Sequence, residues 1–318
     1  MTDKGQPTVS FIIPVYNLPA EMVRECIGSI TALSLGEWER EIIVVDDGSE
    51  VALKNELGDM SNHILCVRQE NKGLAGARNT GIGLATGRYI QFVDGDDKLI
   101  SSSYEYCLDI VRRKQPDVVM FNVGTPRGHQ DVRRGYRQAV SGSDYMSNNN
   151  LRAAAYGYIF SRETLGDLRF DETLRSHEDE DFTPRLLLRA GRLIETPANA
   201  YYYRQRSGSI MHERAPRHVE ERLRNMETVL LRLRDMAAVA ADKDKAGLNR
   251  RVAQLTMDYL YNTIRLRRSC RQLEAVISRL GNEGLFPLPH RNYTRKYCLF
   301  RHAINCRLLR ALSVIFLP

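Results

Sequence analysis

The chain has 318 residues, 43% of them hydrophobic and 27% charged, a composition that excludes a disordered chain and accommodates one large domain with an added segment. Its net charge of +7 is concentrated at one end, since residues 285–318 carry six Lys or Arg and no Asp or Glu; a basic segment of this kind suits nucleic acid or an anionic membrane. Apolar runs such as 42–45 and 90–93 are too short to cross a bilayer, which takes about 20 apolar residues.

From residue 9 to 121, short β-branched runs alternate with helical periodicity, the pattern of a parallel sheet covered by helices. Strands are predicted over 9–13, 41–45, 64–68, 89–93 and 117–122, and helices over 20–33, 51–57, 74–86 and 101–114. This is a nucleotide-binding kind of architecture, and 8–122 is expected to form the nucleotide-binding half. Residues 123–212 are looser in pattern, with a helix at 181–190 and a strand at 200–204, and read as an acceptor half. Beyond Pro216, apolar residues return at helical spacing (Val219, Leu223, Met226, Val229, Leu230, Leu233) and again over 248–280. That periodicity predicts a helical hairpin within 213–284, followed by a basic tail over 285–318. The polar first ten residues lack a secretory signal, and the six cysteines are scattered without a CxxC pair. Both features point to the cytoplasm, with free thiols that mostly fill the core.

The segment YIQFVDGDD (89–97) is an apolar strand that ends in Asp94, Asp96 and Asp97. Carboxylates two apart at a strand end can face one hard divalent ion, and Mg²⁺ or Mn²⁺ completes its shell with water and phosphate oxygens. The alternative is an acidic turn with capping aspartates. An EF-hand is excluded, because Lys98 and Leu99 stand where its loop needs an oxygen ligand and a glycine. IIVVDDGS (42–49) is a second buried strand closed by acids, Asp46 and Asp47, and VSFIIPVYN (9–17) a third that ends in groups able to stack on a base and hydrogen-bond it. Ligands of open parallel sheets bind beyond the carboxyl ends of the strands, so these three ends should meet at one nucleotide. NKGLAGARN (71–79) opens a helix in which Lys72 and Arg78 could reach donor phosphates; an ordinary exposed helix face is the alternative. GIGLATG (81–87) fails as a dinucleotide fingerprint, since it follows a helix and its third spacing is one residue too long.

The PVYN start, the VVDDGS strand, the NKG…ARN helix and the FVDGDD strand, in that order, resemble the family 2 glycosyltransferases, over roughly residues 8–209. The resemblance implies a GT-A fold over 1–212, an α/β, Rossmann-like and mostly parallel sheet flanked by helices, with a C-terminal helical extension. It implies inverting transfer of a sugar from a nucleotide-diphosphate sugar, above all a UDP-sugar, to a glycan or lipid-linked oligosaccharide hydroxyl in surface polysaccharide biosynthesis. Pro14, Tyr16, Asn17 and Asp46 or Asp47 would hold the nucleoside, Asp94 the ribose and metal side, and Asp96 the Mn²⁺ or Mg²⁺. SHEDEDF (176–182) matches the motif that carries the family's catalytic carboxylate, and among Glu178, Asp179 and Glu180 the resemblance makes Asp179 the expected base. Acids in a first helical turn also complement the helix dipole, by about 0.3–1 kcal/mol each. A carboxylate so placed accepts the proton of the attacking hydroxyl, while a metal offsets charge on the departing diphosphate. Tyr156 and Tyr158 stand where the family places an aromatic acceptor platform. YYYRQRSGSIMH (201–212) resembles the closing segment, expected to lid the diphosphate with Arg204 or Arg206 on phosphate oxygens and His212 in the metal shell.

Residues 294–316 interleave Arg295, Lys296, Arg301, Arg307 and Arg310 with Leu299, Phe300, Ile304, Leu308, Leu309, Leu312, Val314, Ile315 and Phe316. That mixture suits an interfacial helix on an anionic membrane, and equally a helix docked on the protein. Two rival functions read less well. A nucleotidyltransferase would carry a Gly-rich phosphate loop after the first strand, where this chain has PVYN. Nucleic-acid binding through the tail conflicts with acidic strand ends that repel phosphate without a metal, so no nucleic-acid partner is expected.

Overall fold

A computed structural model of the chain describes residues 5–124, 134–205 and 216–316. Its strands are β1 (Val9–Val15), β2 (Arg40–Asp46), β3 (Leu65–Arg68), β4 (Tyr89–Phe92), β5 (Lys98–Leu99), β6 (Val118–Gly124), β7 (Tyr158–Ser161) and β8 (Leu193–Tyr202). Its helices are α1 (Ala20–Thr31), α2 (Leu53–Leu57), α3 (Gly73–Leu84), α4 (Ser101–Lys114), α5 (Gly142–Asn148) and α6 (Arg162–Leu165), then α7 (Glu178–Leu188), α8 (Pro216–Val239), α9 (Asp242–Arg267), α10 (Cys270–Asn282), α11 (Arg295–Asn305) and α12 (Arg307–Phe316). Two compact units result, one of Met1–Gly142 with Arg152–Ser207 and one of Ser143–Leu151 with Gly208–Pro318.

The first unit is an eight-stranded sheet in the order β3-β2-β1-β4-β7-β6-β8-β5. The β3-β2-β1-β4 half is parallel throughout, and β7 then runs antiparallel to both β4 and β6. Every residue of β1 is buried, as a strand covered by helices on both faces requires. Phe11 and Ile13 pack with Val23, Ile27 and Ile30 of α1 and with Tyr104, Leu108 and Val111 of α4. On the other face α3 lies so close that a Cβ on Gly81 would stand 2.2 Å from Ile12 Cγ2. Gly81 is therefore a packing glycine, the physical role of a residue that mimics a dinucleotide motif in sequence. From β1 the chain reaches β2 and β3 on one side and β4 on the other, so the carboxyl ends of β1, β2 and β4 border one crevice. The register Val15↔Asp46 and Ile12↔Phe92 sets the strand-end acids along that edge.

The second unit is helical. The expected hairpin is formed by α8 and α9, but the predicted 248–280 stretch is broken at Arg268, whose φ of +45° ends α9 and lets α10 turn away. Asn150 accepts hydrogen bonds from Arg250 (2.9 Å) and Gln254 (2.6 Å) of α9, which is how residues 143–151, read from sequence as acceptor half, come to belong with these helices. In the tail, Tyr297, Phe300 and Ile304 are buried, and Arg310 pairs with Glu274 at 3.0 Å while lying over the Phe286 ring. The outer side of the same helices leaves Leu299 73% and Leu308 81% exposed, with Leu309 and Leu312 exposed beside them. Core filling describes Cys26 and Cys107 alone; Cys270 and Cys306 are exposed and the other two half-buried, a correction to the reading of the thiols as mostly core. Among the described residues no helix is long and apolar enough to cross a membrane.

Candidate functional site

The strand-end acids of β4 sit in a tight turn. A Cβ on Gly95 would stand 2.9 Å from both Leu18 and Val15, so glycine is what lets the turn close against β1. Asp97 faces inward: its carboxylate accepts from the Tyr201 hydroxyl and from the Arg204 backbone N–H, each at 2.7 Å, and its own N–H donates to Asp94 O at 2.9 Å. The Tyr201 hydroxyl also accepts from Asp94 N–H at 3.0 Å. Burial, helped by the charge of Asp94, raises the Asp97 carboxyl to about 8. Asp97 thus frames the turn, and Asp94 and the partly exposed Asp96 are the acids that the frame presents. Arg204 belongs to this frame too, since its Nε donates to Asp96 O at 2.9 Å and its guanidinium pairs with Glu25.

The acids of β2 are engaged by the backbone. Asp46 accepts from Ser49 N–H (2.9 Å) and Leu53 N–H (3.2 Å). Asp47 accepts from Gln69 and from the N–H groups of Lys72 (2.9 Å) and Gly73 (2.8 Å), closing the N-terminus of α3, where unpartnered donors collect. Pro14 is buried beyond the last β4 pairing, and Tyr16 is exposed at the mouth. Asn17, at φ +48°, uses its side-chain oxygen on Glu50 N–H at 2.8 Å. Lys72 lies exposed at the head of α3. Arg206 and His212 lie outside the described residues.

Arg78 leaves the face of α3 turned towards the sheet. It is 1% exposed, and its Nη2 donates to Asp94 Oδ1 at 3.1 Å while Nη1 donates to Glu178 Oε1 at 3.1 Å and Asp179 Oδ1 at 2.6 Å. The exposed-face reading of this helix fails at Arg78, whose guanidinium meets three carboxylates. His177, in the left-handed region at φ +62°, turns the chain so that the first residues of α7 reach this point. Phe182, one helical turn further on, stacks on Phe170 at 3.8 Å and meets Phe92 and Phe160 edge-on, and these rings anchor the helix. Asp179 Oδ2 accepts from Ala155 N–H at 3.1 Å, so both its oxygens are oriented. Burial raises the Glu178 carboxyl, with the adjacent Asp179 charge adding to it and Arg78 opposing it. Burial likewise raises Asp94; Arg78 opposes, while the charges of Asp179 and Asp96 push the same way.

Of the two tyrosines expected as a platform, Tyr158 is core, its hydroxyl bonded to Arg152 O. Tyr156 is the one beside the acids: burial, then the charges of Asp94 and Asp179, push its hydroxyl up, and it stacks on Tyr201 at 4.6 Å and on Tyr203 at 6.1 Å. Sequence reasoning missed Tyr201, Glu25 and the Ala155 N–H, which act only through partners distant in the chain. Asp94 and Asp96 offer the oxygen ligands a hard divalent ion prefers, and their mutual repulsion is the kind a cation relieves. Among the described residues no group of three or more Asp, Glu, His or Cys side chains could hold a metal.

A family model described as Glycosyl transferase family 2 matches residues 10–169. The chain is 30% identical over 223 residues to the uncharacterized glycosyltransferase EpsJ of Bacillus subtilis, a match covering 64% of this chain and 63% of that protein. It is 26% identical over 202 residues to the poly(ribitol-phosphate) beta-glucosyltransferase of Bacillus spizizenii, covering 61% of this chain and 32% of that protein. The match thus spans less than two thirds of either relative's length. Among solved structures the fold is similar to S. aureus TarS 1–349 in complex with UDP-GlcNAc, at a TM-score of 0.69 and 20% identity, covering 97% of this chain and 88% of that one. It is also similar to the mannosyltransferase PcManGT from Pyrobaculum calidifontis in complex with GDP-Man and Mn²⁺, at a TM-score of 0.56 and 16% identity, covering 98% and 88%. The helix-flanked α/β sheet expected of a GT-A fold is present, with β7 and β5 antiparallel to their neighbours. The span matched by the family model runs from β1 through β7, taking in the ends of β1, β2 and β4 and the helix that carries Arg78, and the chain belongs to glycosyltransferase family 2.

Proposed function

We propose that the chain transfers a sugar, with inversion, from a nucleotide-diphosphate sugar to a hydroxyl of a glycan or lipid-linked oligosaccharide in surface polysaccharide assembly. The observation that carries this reading is the meeting of Asp94, from the end of β4, with Asp179, from the start of α7, on the one guanidinium of Arg78. A donor-side acid and a base-side acid share one crevice edge there, as a displacement between two substrates requires. A UDP-sugar is the first donor to test, given the likeness to a fold seen with UDP-GlcNAc. A hydroxyl of a surface polymer as acceptor is in keeping with a relative named for glucosyl transfer to poly(ribitol-phosphate).

In this reading Tyr16 and Asn17 border the nucleoside, while Asp94 and Asp96 face the diphosphate and would hold Mn²⁺ or Mg²⁺, which when bound offsets charge on the leaving group. Asp179, its carboxylate fixed by Ala155 N–H and Arg78, accepts the proton of the acceptor hydroxyl as the new bond to the anomeric carbon forms. The bond from that carbon to the diphosphate breaks with its electron pair on the departing oxygen. Tyr156, held by its stacking on Tyr201 and Tyr203 beside the acids, borders the acceptor side. The work takes place on the cytoplasmic side, where the uncovered leucines of α11 and α12, on a basic tail free of acids, meet anionic lipid.

The test is a screen of UDP, GDP and dTDP sugars, each with Mn²⁺ and with EDTA, read by thermal shift and donor hydrolysis. Asp179→Asn should keep donor binding and lose transfer, whereas Asp96→Asn should lose the metal-dependent part of donor binding. Equal transfer by the wild type and both variants would discard these assignments.

A further inference from the structure

Arg78 is a charge almost wholly enclosed in the sheet unit, and its surroundings assign it a task other than holding substrate. We infer that Arg78 is a positioning residue, which fixes the carboxylate of Asp179 at a set distance and angle from Asp94 and so couples the acceptor side of the site to the donor side. This rests on the reading of Asp179 as the base. A guanidinium taken out of water needs charged partners, and here it has three, one on the turn after β4 and two on α7. Its two terminal nitrogens are divided between those elements, Nη2 to Asp94 and Nη1 to Glu178 and Asp179. A planar fork holds two such directions at once, and a lysine ammonium on a flexible stem does not.

The bed of the guanidinium is aromatic. Its carbon lies 5.6 Å from the Phe92 centroid and 5.3 Å from that of Phe170, and both rings pack against Phe182 of α7. Its Nε is buried without a hydrogen-bond partner, so acids and rings set its position. Reaching a donor phosphate would break ion pairs that compensate its burial. One positive charge among Asp94, Glu178 and Asp179 also leaves the cluster net acidic, and so open to a cation on the Asp96 side. With one oxygen on Arg78 and the other on Ala155 N–H, Asp179 is held against rotation. Loss of about 1 Å of such placement can cost on the order of 10²-fold in rate.

The experiment compares wild type, Arg78→Lys, Arg78→Ala, Asp179→Asn and the Arg78→Lys/Asp179→Asn double variant. The readouts are calorimetric binding of UDP with Mn²⁺, hydrolysis of UDP-GlcNAc with Mn²⁺, and melting without ligand. Arg78→Lys should lower kcat on the order of 10²-fold with UDP affinity and KM changed by less than about threefold. Added guanidinium ion should restore part of the rate to Arg78→Ala, and in the Asp179→Asn background the lysine substitution should have almost no further effect. The melting temperatures of the same four-member cycle should be non-additive, a coupling that needs no donor and holds where Arg78→Ala does not fold. UDP affinity lost at unchanged kcat would make Arg78 a phosphate ligand and overturn the inference, as would effects that add in full in the double variant. Wild-type turnover by Asp179→Asn would instead sink the base assignment itself.

Discussion

A methyl group on Gly81 would stand 2.2 Å from Ile12 Cγ2, so α3 reaches β1 only because this position has no side chain. Gly81→Ala is therefore expected to lower stability by about 1–3 kcal/mol, the usual range for overpacking, seen as a lower urea midpoint at unchanged slope. Turnover should fall with it, because the helix that must shift also carries Arg78. At this scale the sequence showed which residue types end the strands and left their roles open. Asp94, Asp96 and Asp97 look alike in FVDGDD, yet Asp97 faces inward because Tyr201 and Arg204, over a hundred positions along, donate to it. Arg78 reads in sequence as a phosphate contact or a surface cation for a similar reason. Its partners at 178 and 179 belong to a helix that arrives only through the fold.

At the scale of elements, the long periodic runs of the first 122 residues were legible because each strand is a continuous apolar stretch bounded by turn residues. β7 and β5 were not, being four and two residues long and held by pairing with β4, β6 and β8. On α9, burial raises the Asp258 carboxyl, with Arg251 and Lys296 opposing. An acid raised in the fold binds its proton more tightly there than in the unfolded chain. Its stabilising effect is full below the ordinary aspartate range and is lost as pH rises through the raised value. Asp258→Asn should accordingly flatten the fall in melting temperature as the pH rises above the ordinary aspartate range. On α12, Leu308 and Leu312 have solvent around them, so Leu308→Ser/Leu312→Ser should change stability by no more than about 0.5 kcal/mol per site. The same pair should lower co-sedimentation with vesicles rich in phosphatidylglycerol severalfold, and leave the background on phosphatidylcholine vesicles unchanged. Equal binding by the variant would remove the membrane role from the tail.

For the whole molecule, the reversal of strand order around β1 brings the carboxyl ends of β1, β2 and β4 together, and that was readable once the alternation of strands and helices was seen. The grouping of 143–151 with the helical unit was not, because it rests on Asn150 and its partners about a hundred residues later. Ligand linkage offers a global check. UDP with Mn²⁺ at about 100 times its dissociation constant should add about 2.7 kcal/mol, or roughly 5–10 °C in the melting of the sheet unit, and EDTA should remove the metal-dependent share. A flat response to every nucleotide diphosphate would count against a donor crevice at these strand ends.

Asp47, which closes the start of α3, also bears on how a random-mutation survey of this protein would look. Colonies lost to changes at that position would be scored as defects in donor capture, although the harm would travel through a loosened helix to a guanidinium five residues beyond its first glycine. Tyr16, open to solvent, is free of that confusion, and its substitution would test the proposed nucleoside contact directly.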